Sequence, residues 1–279
     1  MPLHEIPVRD RILDALSHSG DAWVSGQKLS STFGISRAAV SKHIMTLREE
    51  GNIIESVPHR GYRMVSRADP WAGENIHTGL HTECLGQSRW IWLKETGSTN
   101  QIATGAALNG AETGLVVVAR RQNEGRGCRG HEWVHLPGSL CFSVLMRPEI
   151  SPGELPGLPL LVMKACAAAV RRCGGPELER VPPNDLCLHG RKVGGILVES
   201  MFYNDAMQWM VAGIGLNVNV PLMAFPQELR KTASSLYVGS GRPFSITGLM
   251  QAILEELETV FRERTMCAPP HDCLHRQNR

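Results

Sequence analysis

Leu115-Val116-Val117-Val118-Ala119 and, six positions on, Gly125-Arg126-Gly127-Cys128-Arg129-Gly130 form the stretch on which the fold turns. The first five residues are a continuous, mostly β-branched run, which reads as a buried strand. The loop that follows packs three glycines and two arginines into six residues. Glycine lets successive backbone N–H groups turn inward as an anion-binding nest, and arginine adds fixed charge with forked donors. A loop of this kind at a strand end is suited to holding a carboxylate against a phosphate. Alone, it reads equally as a basic surface turn, so its neighbours decide.

Those neighbours alternate strands, turns and helices. Residues 88–93 read as a strand with Trp90 and Trp92 on one face, leading into Gly97-Ser98-Thr99-Asn100 and a helix to about Leu108. Ser98 and Thr99 either cap that helix or turn their hydroxyls into a pocket. Residues 140–146 form a further strand, followed by a turn rich in proline and an Ala-rich, buried helix over 159–173. Pro183-Asn184-Asp185-Leu186 is a turn, and residues 187–199 are a hairpin carrying Arg191-Lys192-Val193-Gly194-Gly195. Gly213-Ile214-Gly215-Leu216-Asn217-Val218-Asn219 again sets Gly and Asn beside a strand, and a last helix covers 246–264.

The first 67 residues have a different rhythm, that of a winged helix-turn-helix. Ile12, Leu13 and Leu16 stripe one helix, residues 26–33 form a second, and Gly34 suits the tight left-handed turn after it. Ser36 caps a third helix from Arg37 to about Glu50, closed by Gly51, with Val40, Ile44 and Leu47 on its buried face. Arg37, Ser41 and Lys42 are left free to meet a major groove. Residues 53–57 and 61–64 read as two strands joined by Pro58-His59-Arg60, a wing aimed at the phosphate backbone. This region holds nine basic and seven acidic residues, but Arg37, Lys42, Arg48, Arg60 and Arg63 gather in its second half. DNA binding is the expectation, and a winged domain used for protein contacts is the bland alternative.

Composition sets outer bounds. A chain of 279 residues suits two domains, and its 42% hydrophobic content is enough for a core. The net charge of +2 is too small to argue nucleic-acid binding without local clustering. No apolar run is long enough to span a membrane and no signal-peptide pattern opens the chain, so a cytoplasmic protein without membrane contact is expected. Eight scattered cysteines without a Cys-x-x-Cys pair read as mostly free thiols. The sets Cys267, His271, Cys273, His275 and His77, His81, Cys84 match no strong zinc spacing, and no metal site is expected.

Five motifs occur in order: Gly-Ser-Thr-Asn (97–100), Gly-Arg-Gly-x-Arg-Gly (125–130), Pro-Asn-Asp-Leu (183–186), Arg-Lys-Val-Gly-Gly-Ile-Leu-Val-Glu (191–199) and Gly-Ile-Gly-Leu-Asn-Val-Asn (213–219). With Ser-Arg-Ala-Ala-Val-Ser-Lys-His-Ile (36–44) and Val-Pro-His-Arg-Gly-Tyr (57–62), the chain resembles the bifunctional biotin protein ligase/biotin operon repressor (BirA) family over about residues 6–262. The resemblance implies an α+β protein: a winged helix-turn-helix over 1–67, a linker over 68–86, and a mixed-sheet, class II synthetase-like biotin/lipoate ligase domain over 87–264. It implies ATP-dependent activation of biotin to biotinyl-5′-AMP, with Mg²⁺ on the polyphosphate. Transfer then goes to a lysine of the biotin carboxyl carrier protein of acetyl-CoA carboxylase. It further implies operator binding through Ser36, Arg37, Ser41, Lys42 and Arg60, and a ligand-promoted homodimer.

By the same resemblance, Lys192, Arg126, Arg129 and Asp185 are the expected catalytic residues, Lys192 reaching the carboxylate and the α-phosphate. Ser98, Thr99, Asn100 and Gln122 take biotin, and the loop Gly125, Arg126, Gly127 and Cys128 closes over the adenylate. Trp133 covers the adenine, while Gly194 and Gly195 let the biotin ring lie against backbone. Three departures stand out. Cys128 replaces an arginine of the repressor type, and Val181-Pro182 replaces a Lys-Trp pair. An SH3-like C-terminal domain is replaced by residues 265–279, which read as a disordered tail. A ligand-sensing repressor or decayed ligase without efficient transfer is the alternative these departures raise.

Overall fold

The structure, a computed structural model, describes residues 7–20, 22–49, 52–67, 76 and 79–264, the side chains of Glu49, Arg129 and Glu263 excepted. Helices α1 (Val8–His18), α2 (Gly26–Phe33) and α3 (Arg37–Glu49) open the chain. Gly34 turns α2 into α3 at φ 65°, a left-handed conformation without penalty only for glycine. The Ser36 Oγ accepts from the Ala39 N–H at 3.1 Å, so the expected cap of α3 is present. Ile12, Leu16, Leu29, Val40, Ile44 and Leu47 form the core of this small unit. Strands β1 (Ile53–Val57) and β2 (Gly61–Ser66) pair antiparallel as the wing, with Val24 bridging to Tyr62. Gly51, the expected stop of α3, lies outside the described residues, as do residues 265–279.

The second unit holds β3 (Trp90–Leu93), α4 (Thr99–Leu108), β4 (Val116–Ala119), β5 (Ser139–Met146), α5 (Leu158–Arg172), β6 (Glu179–Val181), β7 (Asp185–Leu188), β8 (Arg191–Tyr203), β9 (Ala206–Asn217), α6 (Leu236–Ser240) and α7 (Ile246–Phe261). Its seven strands run in the order β3-β4-β5-β9-β8-β7-β6, parallel between β3 and β4 and antiparallel elsewhere. Strand alternation explains the sequence pattern. Val116 and Val118 of β4 enter the main core under α5 and α7, while Leu115 and Val117 face α4 on the opposite side. Both faces are covered, and the run is therefore apolar throughout. Residues 152–172 are apolar and long enough to cross a membrane by composition alone. Here Val162, Met163, Ala165, Cys166, Ala169 and Val170 of α5 are all fully buried in the protein core, which accounts for that composition.

One expectation is corrected. The second half of the expected linker 68–86 belongs to the core: Ile76, Leu80, Cys84 and Leu85 are buried with α5 and α7. Its backbone is tied down by acids on α7. Glu258 accepts from the N–H groups of Glu83, Cys84 and Leu85 at 2.6, 2.9 and 2.8 Å, and Glu255 from that of His81 at 2.9 Å. Polar Glu, Gln and His residues around these positions hid a segment whose order comes from a helix about 175 residues away in sequence.

The two units touch. Ile53 and Val65 of the wing pack with Tyr237 of α6, and an Arg63 Nη donates to the Tyr237 hydroxyl at 2.9 Å.

Candidate functional site

Alternation along the central strands leaves one patch of sheet without side chains. Met210, Ala212, Ile214 and Leu216 of β9 point into the main core, so Gly213 and Gly215 face the other way. Gly195 of β8 pairs with Gly215 and joins them. Above this floor lies a cleft of about 250 Å³ lined by residues from α4, the 122–133 loop, β7, β8 and β9. Trp133 rests on the floor: a Cβ on Gly215 would lie 2.7 Å from its ring, and one on Gly195 3.3 Å. The Trp133 Nε1 donates to Cys141 Sγ at 3.3 Å. Burial pushes the Cys141 thiol up to about 12, so it is an uncharged packing group.

One end of the cleft is a largely buried hydrogen-bond network that ends on the Glu199 carboxylate. Parallel pairing of β3 with β4 continues into their loops through the Thr96–Gln122 bridge, and this sets Gln122 beside the first turn of α4. The Gln122 Oε1 accepts from Thr99 N–H at 2.7 Å and lies 3.0 Å from Thr99 Oγ1. It thereby takes over part of the capping role that Ser98 was a candidate for; the Ser98 side chain makes no cap bond and lines the cleft. Asn100 reaches Glu199 Oε2 at 2.8 Å, and Ser143 Oγ sits between Thr99 and Asn100.

The other end is charged. Lys192 Nζ lies 2.7 Å from Asp185 Oδ1, both side chains about one-third exposed. The ammonium also sits 5.9 Å from the Trp133 ring centroid. Lys192 is held from behind by its own main chain, which donates to Thr232 O and accepts from Ser234 N–H, both at 2.8 Å. Arg126 lines the cleft from the glycine loop, and the Gln101 amide oxygen, turned toward it, accepts from its guanidinium at 2.7 and 3.2 Å. From Lys192 to Leu197 the extended β8 backbone covers roughly 16 Å, so the hydrogen-bonded end and the Lys192–Asp185 end are separated by the glycine floor.

The structure brings Ser98, Thr99, Asn100, Gln122, Arg126, Gly127, Cys128, Trp133, Asp185, Lys192 and Gly195 together around one cleft. Others fall elsewhere. Gly194 does not face it: its Cβ direction runs into Leu216 at 2.4 Å and Leu186, because neighbours in a strand point to opposite faces. Gly125 is buried against the Trp133 carbonyl, 2.4 Å from where a Cβ would sit. The open anion nest is also corrected. Gly127 N–H donates to His131 O at 2.7 Å and Trp133 N–H to Gly125 O at 2.8 Å, so the loop closes on itself as a small hairpin. The Arg129 side chain lies outside the described residues. Val181 is exposed on the edge strand β6 and does not line the cleft, whereas Pro183 does.

Sequence reasoning missed Ser143, Asn184, Glu199 and Glu132. Ser143 carried a signal, a hydroxyl set among apolar residues in the middle of the strand 139–146. Asn184 is fixed by its Nδ2 donating to Ile196 O at 3.2 Å while its own carbonyl accepts from Ile196 N–H.

On the N-terminal unit, Ser36, Arg37, Ser41 and Lys42 are exposed along the outer side of α3, and Arg60 is exposed at the wing tip. Arg60 and Arg63 lie over the Trp23 ring at 5.2 and 4.8 Å. Two of the clustered cations are turned inward. Arg48 donates to Ile54 O at 2.9 and 2.6 Å, with burial lowering its pKa, and Arg63 pairs with Glu55. Of the five clustered cations, Arg37, Lys42 and Arg60 therefore carry the outward charge on this face.

The biotin/lipoate A/B protein ligase family matches residues 92–217, and a helix-turn-helix (HTH) domain matches residues 8–63. The bifunctional ligase/repressor BirA of Bacillus subtilis is 35% identical over 257 residues, 92% of this chain and 79% of the relative. That of Escherichia coli is 34% identical over 198 residues, 70% of this chain and 59% of the relative. Among solved structures, the biotin protein ligase of Aquifex aeolicus in complex with biotin and ATP superposes with a TM-score of 0.52 at 28% identity, over 63% of this chain and 71% of that one. The chain belongs to the biotin/lipoate protein ligase family, in the group of bifunctional ligase/repressors that carry an N-terminal helix-turn-helix domain.

Proposed function

We propose that this protein joins biotin to ATP as biotinyl-5′-AMP, passes the biotinyl group to a carrier-protein lysine, and represses transcription through its winged domain. The observation that carries the reading is the two-ended cleft. A polar, hydrogen-bonded end suits a polar head group, the Trp133 ring laid over the glycine floor suits a flat ring or apolar chain packed beside it, and the Lys192–Asp185 pair with Arg126 on the same cleft suits a carboxylate meeting a phosphate. In the first step a carboxylate oxygen attacks the α-phosphorus and pyrophosphate leaves. Two anions must approach, and the Lys192 ammonium with the Arg126 guanidinium offsets their repulsion where charge builds up. Asp185 holds the Lys192 ammonium at the mouth. In the second step the lysine amine attacks the acyl carbon, AMP departs with the bonding pair, and the ammonium proton is lost to solvent.

Mg²⁺ enters on the ATP phosphates as part of the substrate. Asp185 and Glu132 are carboxylates lining the cleft, and among the described residues no group of three His, Cys, Asp or Glu forms a separate metal cage. The carrier is proposed to be the biotin carboxyl carrier protein of acetyl-CoA carboxylase. A ligand-promoted homodimer would present two winged domains to a two-fold operator, in the cytoplasm.

The test is purified protein with biotin, ATP, Mg²⁺ and an acceptor domain, followed by mass spectrometry of the acceptor and pyrophosphate exchange. An acceptor heavier by one biotinyl group supports the reading. Exchange without labelling identifies a protein that makes the adenylate and senses biotin but does not transfer it; absence of both sinks the proposal. Lys192→Ala should lower exchange by about 10²-fold or more with little change in Tm, since a partly exposed ion pair contributes little to stability.

A further inference from the structure

Among the described residues, four charged side chains line the cleft: Arg126, Glu132, Asp185 and Lys192. The proposed adenylation step engages three of them. Asp185 Oδ1 is 2.7 Å from Lys192 Nζ, so its charge is matched, and the Arg126 guanidinium is held by Gln101. Glu132 is left over: it is exposed and has no ion-pair partner among the described residues. Its place is nonetheless fixed by backbone. In the hairpin over 125–133, Glu132 bridges antiparallel to Arg126, between the Gly127–His131 and Gly125–Trp133 hydrogen bonds. Opposed residues of such a pair carry their side chains on one face, about 5 Å apart at Cβ. The carboxylate therefore stands beside Arg126, on the same cleft as Lys192. His131 lines this cleft too, but alternation along the strand sets it on the Trp133 side of the hairpin.

We infer that Glu132 is a catalytic residue of the transfer step, its carboxylate taking a proton from the acceptor lysine as the lysine nitrogen is acylated. The inference deepens the proposed ligase reading and rests on it. A carboxylate at this point hinders the first step, because ATP brings phosphates that it repels. In the second step the charges reverse. The lysine sheds one proton to solvent and attacks as a neutral amine. As the N–C bond forms, its nitrogen turns positive near the Lys192 and Arg126 cations, and Glu132 offsets that charge where it develops. The acyl C–O bond to phosphate breaks and AMP leaves with the bonding pair. The second proton of the nitrogen passes to Glu132 and on to solvent. Asp185 does not serve, being held against Lys192.

The experiment forms the adenylate on the full chain from biotin and ATP, then offers pyrophosphate and a biotin carboxyl carrier domain together. It follows how the adenylate divides between ATP and biotinylated acceptor. Pyrophosphate is an anionic nucleophile and gains nothing from Glu132. In Glu132→Gln, transfer to the acceptor should slow about tenfold or more, while return to ATP should quicken by up to about twofold. Glu132→Asp keeps the charge and should bring transfer back to within about threefold of the unaltered protein. An unchanged division in folded Glu132→Gln, or both rates falling together, would overturn the inference. So would a raised Mg²⁺ requirement for exchange, which makes Glu132 a metal ligand. Transfer lost in His131→Gln but kept in Glu132→Gln would assign the proton to the histidine instead. An unaltered protein that makes the adenylate and labels no acceptor overturns the inference while adenylation stands; one that makes no adenylate overturns the ligase reading as well.

Discussion

Cys128 sits at the inner edge of the glycine loop, half-buried, with its Sγ 3.5 Å from Ile196 O and its side facing the cleft. A thiol there is a weak, uncharged donor where an arginine would bring forked, charged ones. Cys128→Arg should therefore slow release of the adenylate by about tenfold, the scale of one charge-assisted hydrogen bond. Trapping labelled adenylate and following its loss checks this; an unchanged rate would mean that Arg126 already supplies the hold. At this scale the sequence is most legible where a residue type is itself the chemistry. Lys192, Asp185 and Arg126 stand out from their motifs and do line one cleft. Glu199 ends a motif without disclosing a role, because its partner Asn100 lies 99 residues away.

Turns and short hairpins show the reach and the edge of sequence reading at the level of elements. The α2–α3 turn is readable because Gly34 and Ser36 each carry a local requirement, a left-handed φ and a cap. Gly61 is a sharper case. It opens β2 at φ 103°, and a Cβ there would lie 2.2 Å from Val24 O and 2.6 Å from Ser25 Cα. Backbone cannot yield as a flexible side chain does, so Gly61→Ala should destabilise the winged unit by about 3 kcal/mol. Urea unfolding and operator binding would register the loss, while pyrophosphate exchange should persist because the cleft belongs to the other unit. The hairpin over 125–133 is less legible. Its glycines announce a special backbone, but whether their N–H groups stay open or pair with 131–133 depends on the path of the chain past Trp133. Gly194 and Gly195 are indistinguishable as a pair of letters; only the register of β8 against β9 decides which one faces the cleft.

The whole molecule places a ligand cleft and a DNA-facing surface on two units joined through α6. Tyr237 packs against Ile53 and Val65 and accepts from Arg63, which is itself paired with Glu55. Arg63 therefore belongs to the contact between the units. Arg37 and Lys42 remain exposed on α3. Replacing both with alanine should weaken operator binding and lower the slope of log affinity against log salt by about one for each phosphate no longer neutralised. Titrations at several salt concentrations measure this, with pyrophosphate exchange as the control expected to hold. A slope that does not move would take these two residues off the phosphate backbone.

The sequence by itself determined the two-unit organisation, the family and most of the residues around the cleft, because caps, left-handed glycines, alternating strands and ordered motifs are local properties of the chain. Only the tertiary structure decided three further matters. It placed Ile76, Leu80, Cys84 and Leu85 in the core, with the backbone around them held by Glu255 and Glu258 of a distant helix. It turned Arg48 and Arg63 inward, away from the face their charge suggested. It joined Thr99, Gln122, Ser143, Asn100 and Glu199 into one hydrogen-bond network. Each of these depends on groups that are not neighbours in sequence being brought within about 3 Å, and that information exists only once the sheet has chosen its register.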